Sequence, residues 1–113
     1  MGSGGSGGVG DLSGLLRQAQ KVKEELARIQ AELAETVVEG SAANGMAKAT
    51  FTGTLQLTSV RIDPRVLEGG VDLSMIEDLV TVAVRHGLQK AQALARERMD
   101  RLTGGTHLPG LLL

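Results

Sequence analysis

Between Leu12 and Leu33 the apolar residues Leu12, Leu15, Ala19, Val22, Leu26, Ile29 and Leu33 recur at alternating steps of three and four. This spacing is a heptad seam, and it commits the N-terminal part of the chain to a long α-helix. Lys, Glu, Gln and Ala fill the positions between, and no glycine or proline interrupts after Gly14. With Asp11 or Ser13 available as a cap, propensity and pattern agree on a helix from Asp11 to about Glu35. Two positions in seven make a narrower stripe than a helix in a globular core usually shows. The seven residues are therefore expected to pack against another helix in a long seam, the seam of a dimer, an ordinary core helix being the other reading.

Beyond Glu35 the period changes. Thr36 to Glu39 opens a short strand, Asn44-Gly45 is a hairpin signal, and Met46 to Thr52 sets Ala47, Ala49 and Phe51 against Met46, Lys48 and Thr50. Gly53-Thr54 turns the chain into Leu55 to Asp63. There Leu55 and Leu57 share one parity while Val60 and Ile62 share the other, so the apolar face changes side near Thr58-Ser59 unless a bulge reconciles them. A three-stranded antiparallel meander results, with one face that needs a helix to cover it.

Asp63-Pro64 ends the sheet, because proline cannot continue the ladder. A loop through Val66, Leu67 and Gly69-Gly70 follows, and Ser74-Met75-Ile76-Glu77 reads as a capping box. Ile76, Leu79, Val80, Ala83, Gly87, Ala91, Leu94, Ala95, Met99 and Leu102 then keep helical spacing as far as Gly104-Gly105. Gly87 inside this helix signals either a close backbone approach or a tolerated weakness. The order is α-β-β-β-α, an α+β fold. Two helices longer than the sheet must project past it, and their bare apolar stripes call for a dimer.

Composition narrows the function. The chain has 113 residues, 12 Lys plus Arg against 13 Asp plus Glu, and no cysteine. That length suits one domain, here residues 11–105, after a Gly/Ser-rich stretch at 1–10 and before an apolar tail at 106–113. The glycine-rich stretch reads as a flexible arm, native or a tag remnant. Without cysteine there is no disulfide frame and no thiolate site, and without a signal peptide or an 18-residue apolar run the expectation is a cytoplasmic protein with no membrane partner.

No catalytic set converges. His86 falls within the last helix and His107 in the tail. Glu77 and Asp78 stand too far from His86 along the helix to share a metal, and Glu24-Glu25 and Glu77-Asp78 are adjacent pairs that diverge. The expectation is therefore no enzyme, no metal, no cofactor and no small-molecule substrate.

Charge is more informative. Arg17, Lys21 and Lys23 face only Asp11 in the first helix's opening half, and Arg85, Lys90, Arg96, Arg98 and Arg101 outnumber Glu97 and Asp100 in the last helix. Acids prevail between, from Glu24 to Glu39. If both helices project from the sheet in the same direction, the start of the first lies beside the end of the second, and the two basic clusters meet at one tip. Such a tip suits the phosphate backbone of duplex DNA; the plainer reading is dipole complement and solubility. With no Trp or Tyr and one Phe, no stacking platform for single strands exists, so binding should be to duplex and weakly sequence-specific.

Four segments carry a resemblance. They are Leu15-Leu16-Arg17-Gln18-Ala19-Gln20 after the glycine-rich start, Val60-Arg61-Ile62-Asp63-Pro64, Ile76-Glu77-Asp78-Leu79-Val80, and Leu108-Pro109-Gly110-Leu111. In this order they resemble the YbaB/EbfC nucleoid-associated proteins of bacteria. The resemblance implies an intertwined, tweezer-like homodimer that binds DNA and alters its conformation, with roles in nucleoid organisation, gene regulation and DNA protection. It places DNA contacts on both helices, at Arg17, Lys21, Lys90, Arg96 and Arg98; Lys23 and Arg101 join them on local charge alone. The chain departs from the family at Arg85-His86-Gly87, where the pattern resembles Asn-Asp-Ala, a change that either makes the helix more basic or alters the dimer seam. A near-neutral net charge supports a second class of function, a dimeric protein-interaction module with weak or no DNA binding.

Overall fold

The computed structural model describes residues 2–102, with side chains from residue 12 onward. Its elements run α1 (Gly2–Glu35), β1 (Val37–Ala42), β2 (Ala47–Thr52), β3 (Leu57–Ile62), α2 (Arg65–Glu68) and α3 (Leu73–Leu102). The α+β order read from the sequence holds, with one short helix added where a loop was expected. Gly104-Gly105 and the tail lie outside the described residues. α1 begins at Gly2, ahead of the expected Asp11, so Ser13 sits inside the helix rather than at its cap.

The sheet is a meander of order β1-β2-β3, antiparallel throughout. Ala43, Asn44 and Gly45 all take positive φ, so the Asn44-Gly45 signal marks the β1–β2 hairpin. β1 extends beyond Glu39 to Ala42, pairing Gly40 with Ala49 and Ala42 with Ala47. In the second pairing Thr50 is opposite Ser59 and Phe51 opposite Leu57, which leaves Thr58 as the extra residue of a bulge. The bulge resolves the parity conflict, bringing Leu57 to the same side as Val60 and Ile62. Thr58 Oγ1 donates to the Thr50 carbonyl at 3.1 Å and ties down the irregularity.

One face of the sheet is covered by α3, which packs mainly on β1 and β2 and barely reaches β3. The contact is built from small residues: Ala83, Gly87 and Ala91 on the helix, Ala42, Ala47 and Ala49 on the strands, with Phe51 as the one large buried ring. Small side chains at i, i+4 and i+8 leave no ridge, so the helix backbone settles close to the sheet. Full burial of Phe51 contributes about 1.5–3 kcal/mol.

The α3 start differs from the capping-box expectation. Asp72, one residue before the helix, accepts the Met75 amide through Oδ1 at 3.0 Å, so Asp72 is the cap and Ser74 lies within the first turn. Between β3 and α2, Asp63 takes the Arg65 amide at 2.9 Å and the Arg65 guanidinium at 2.8 Å, and Val66 is buried behind this turn.

α1 is fixed at its C-terminal end. The Gly53 amide, in the β2–β3 turn, donates to the Leu33 carbonyl at 2.9 Å. Any side chain at Gly53 would push into Leu33. From this anchor α1 leaves the sheet and runs beside α3, giving a body of 84 × 25 × 18 Å.

Candidate nucleic-acid interface

The heptad seam divides along its length. Ile29 and Leu33, nearest the anchor, are buried within the chain itself, and Leu26 is half-buried. Leu12, Leu15, Ala19 and Val22 are exposed, Leu15 at 67%. The buried end holds α1 to the sheet and α3, and the exposed end continues as an uncovered stripe.

Beside that stripe the C-terminal end of α3 meets the middle of α1. One groove is lined by Gln18, Lys21, Val22 and Glu25 of α1 and by Arg101 and Leu102 of α3. The next is lined by Glu25, Arg28, Ile29 and Glu32 with Arg98, Arg101 and Leu102. The end of α3 therefore lies beside the middle of α1 rather than beside its start, because α1 begins at Gly2, and Lys21 and Arg101 share one groove. Arg17 is one turn further out on α1, about 6 Å along the axis.

The cations of this tip are in different states. Arg101 is paired with Glu97 at 2.7 Å, and Arg28 with Glu25 and, at 3.6 Å, with Glu32. The side chains of these pairs remain 41–69% exposed, so the pairs contribute little to stability. The Arg28 guanidinium is held above its ordinary value, first by its hydrogen bond to Glu25. Arg17, Lys21, Lys23, Arg96 and Arg98 make no hydrogen bond or ion pair to any described residue. Arg28 is the tip cation that charge counting missed. Acids at i−3 and i+4 were its signal, because they cancel its charge locally.

Lys90 stands apart. Its amine donates to the Glu39 carbonyl at 2.7 Å, on the edge of β1. Eleven residues separate it from Arg101, about 17 Å along the helix. His86, one turn earlier, accepts the Ser41 amide at Nδ1 at 3.0 Å. Gly87 makes the close backbone approach that was one of its two readings. A methyl there would lie 2.7 Å from Phe51 Cδ1. Among the described residues no group of three His, Asp or Glu could hold a metal ion, and no helix is long and apolar enough to cross a membrane.

The tip can thus present positive charge to a polyanion from two helices at once. Comparison with known proteins gives the geometry its context: a family model described as the YbaB/EbfC DNA-binding family matches residues 8–106. The chain belongs to the YbaB/EbfC DNA-binding family. Nucleoid-associated protein TTE0040 of Caldanaerobacter subterraneus subsp. tengcongensis is 37% identical over 111 residues, covering 98% of this chain and 99% of that protein. A nucleoid-associated protein of Nocardia farcinica is 42% identical over 105 residues, covering 93% and 94%. One from Xanthomonas campestris pv. campestris is 43% identical over 100 residues, covering 88% and 92%. Among solved structures, the uncharacterized protein HP0035 of Helicobacter pylori aligns with a TM-score of 0.68 at 22% identity, over 82% of this chain and 94% of that one. That likeness supports the fold. As a YbaB/EbfC member the chain sits in a DNA-binding family rather than an enzyme family.

Proposed function

We propose that the protein is a homodimeric, nucleoid-associated protein of the cytoplasm that grips duplex DNA through basic helix ends, with little sequence specificity, and alters its conformation. The observation that carries this reading is the joining of Lys21 and Arg101 in one groove, with Arg98 lining the next. Phosphates attract such cations without base readout, and binding of this kind releases counterions in proportion to the contacts made. The acids Glu25, Glu32 and Glu97 beside the groove moderate the affinity.

Dimerisation is supported by the apolar surface left open on the single chain. Leu15 and Leu16 are 67% and 62% exposed on α1, and on β3 Leu57 and Val60 are 49% and 39% exposed. Apolar exposure of this extent marks an association surface. The seam Leu12, Leu15, Ala19 and Val22 is the part of the heptad free to take a partner, and a two-fold pair would present two basic tips.

The test is affinity for a random-sequence duplex across a salt series. Log affinity should fall linearly with log salt, with a slope reporting several released counterions. Absence of binding at low salt would turn the reading to a dimeric protein-interaction module that uses the same exposed leucines.

A further inference from the structure

β1 is an edge strand, with β2 on one side and, among the described residues, no strand on the other. Its outward-facing polar groups are met by α3. Ser41 donates its amide to His86 Nδ1 at 3.0 Å, and Lys90 Nζ donates to the Glu39 carbonyl at 2.7 Å. The two side chains are four residues apart on a helix, about 6 Å, and their partners two residues apart on a strand, about 6.7 Å. The two spacings match, so one helical turn clasps one strand repeat at two points.

We propose that His86 and Lys90 form a proton-sensitive clasp, closing the free edge of β1 while the imidazole is neutral and releasing Ser41 when it takes up a proton. An imidazole accepts at Nδ1 only when that nitrogen is bare, which places the single ring proton on Nε2. Protonation makes both nitrogens donors, so two N–H groups then face each other and the Ser41 amide loses its acceptor. The charged groups beside the clasp are Arg85, adjacent to His86 in sequence, Lys90 one turn on, Glu39, whose carbonyl accepts from Lys90, and Lys48, whose amine is 3.9 Å from the Glu39 carboxylate. The Lys90 bond to the Glu39 carbonyl does not involve the imidazole and does not depend on its proton. One point of the clasp is therefore permanent and the other is switched by pH. What the switch uncovers is an unpaired N–H on a strand edge, the group through which a further strand adds.

The inference is independent of DNA binding, and amide hydrogen exchange with nitrogen-15 titration of the full chain tests it. In the wild type the His86 ring should show the Nε2–H tautomer at about pH 8, and Ser41 protection should drop about tenfold by about pH 5.5, the size of one hydrogen bond. Amides of the central strand β2 should stay protected across that range. His86→Asn sets an oxygen where Nδ1 stood and should hold Ser41 protected at both pH values. His86→Ala should leave it unprotected at both. The clasp is refuted if wild-type Ser41 protection is flat with pH, or if the proton resides on Nδ1. Should the Ala variant unfold, seen as loss of β2 protection, the wild type and the Asn variant decide the question without it.

Discussion

Gly40 of β1 and Gly87 of α3 meet backbone to backbone, with no side chain between strand and helix. A Cβ on Gly40 would overlap the Gly87 amide nitrogen and the Ala83 carbonyl oxygen, and one on Gly87 would press into the Phe51 ring. The sheet and the arm that carries Arg96 and Arg98 are joined at this contact.

Gly40→Ala should therefore destabilise by about 3 kcal/mol or more, because both obstructing groups are backbone and cannot rotate away. Gly87→Ala should cost less, about 1–2 kcal/mol, since the gain of up to about 1 kcal/mol in helix propensity offsets part of the overpacking on Phe51. Urea unfolding midpoints of the two variants give the ranking, and equal midpoints would contradict the asymmetry.

Arg96→Glu with Arg98→Glu should abolish duplex binding at moderate salt while leaving the far-ultraviolet spectrum and the unfolding midpoint close to wild type. Neither residue makes a described bond that the reversal would break. Wild-type affinity in the double variant would discard the tip as the site.

Lys90 separates a structural cation from a DNA-contacting one. Lys90→Met removes the donor to Glu39 and should lower stability by about 1 kcal/mol, while the salt slope of DNA binding stays within one counterion of wild type. A slope shallower by a full counterion, with stability unchanged, would return Lys90 to the interface.

The two ends of the heptad should respond differently to charge. Ile29→Asp buries a carboxylate against the chain's own core and should unfold the protein or cost several kcal/mol. Leu15→Asp lies on the exposed end and should leave folding intact while shifting sedimentation toward the monomer. A fully dimeric Leu15→Asp would move the association surface to the β3 side, where Leu57→Asp becomes the informative change.

Acid lability should trace to Asp63. The Arg65 guanidinium and amide hold its carboxyl down to about 2, below the ordinary carboxylate value. A lowered value means the turn's contribution is present above the ordinary range near about 4 and is lost as pH falls toward about 2. Asp63→Asn should flatten the stability profile by lowering stability at neutral pH, where the ionised carboxyl contributes, while leaving stability near pH about 2 little changed.

Much of this was legible in the chain. The three-four spacing declared α1, the parity change around Thr58 declared the bulge, and Asn44-Gly45 declared the hairpin, because each is a local steric rule. β1 was read short because Gly40, Ser41 and Ala42 have weak strand propensity; pairing with Ala47 and Ala49 and cover by α3 override it. The capping box failed because Asp72 offered a competing acceptor two residues earlier. In the candidate interface, the return of α3 alongside α1 followed from topology, but the end of α3 meets residues 18–25 of α1 and not its start, because the helix extends back to Gly2. The bonding of Lys90 to Glu39, 51 residues apart, did not, since nothing local marks a side chain that turns back to a strand edge.

The small-residue stripe has a mechanical consequence. Sliding α3 by one turn along the sheet, about 6 Å, would set Ala83 or Ala91 over Gly40, where a methyl has no room. Only Gly87 fits, so the helix has a single permitted seat, like a key cut with one notch. The reach from the sheet to Arg96 and Arg98 is thereby set as on a ruler, and the proposed grip on a duplex inherits that fixed length.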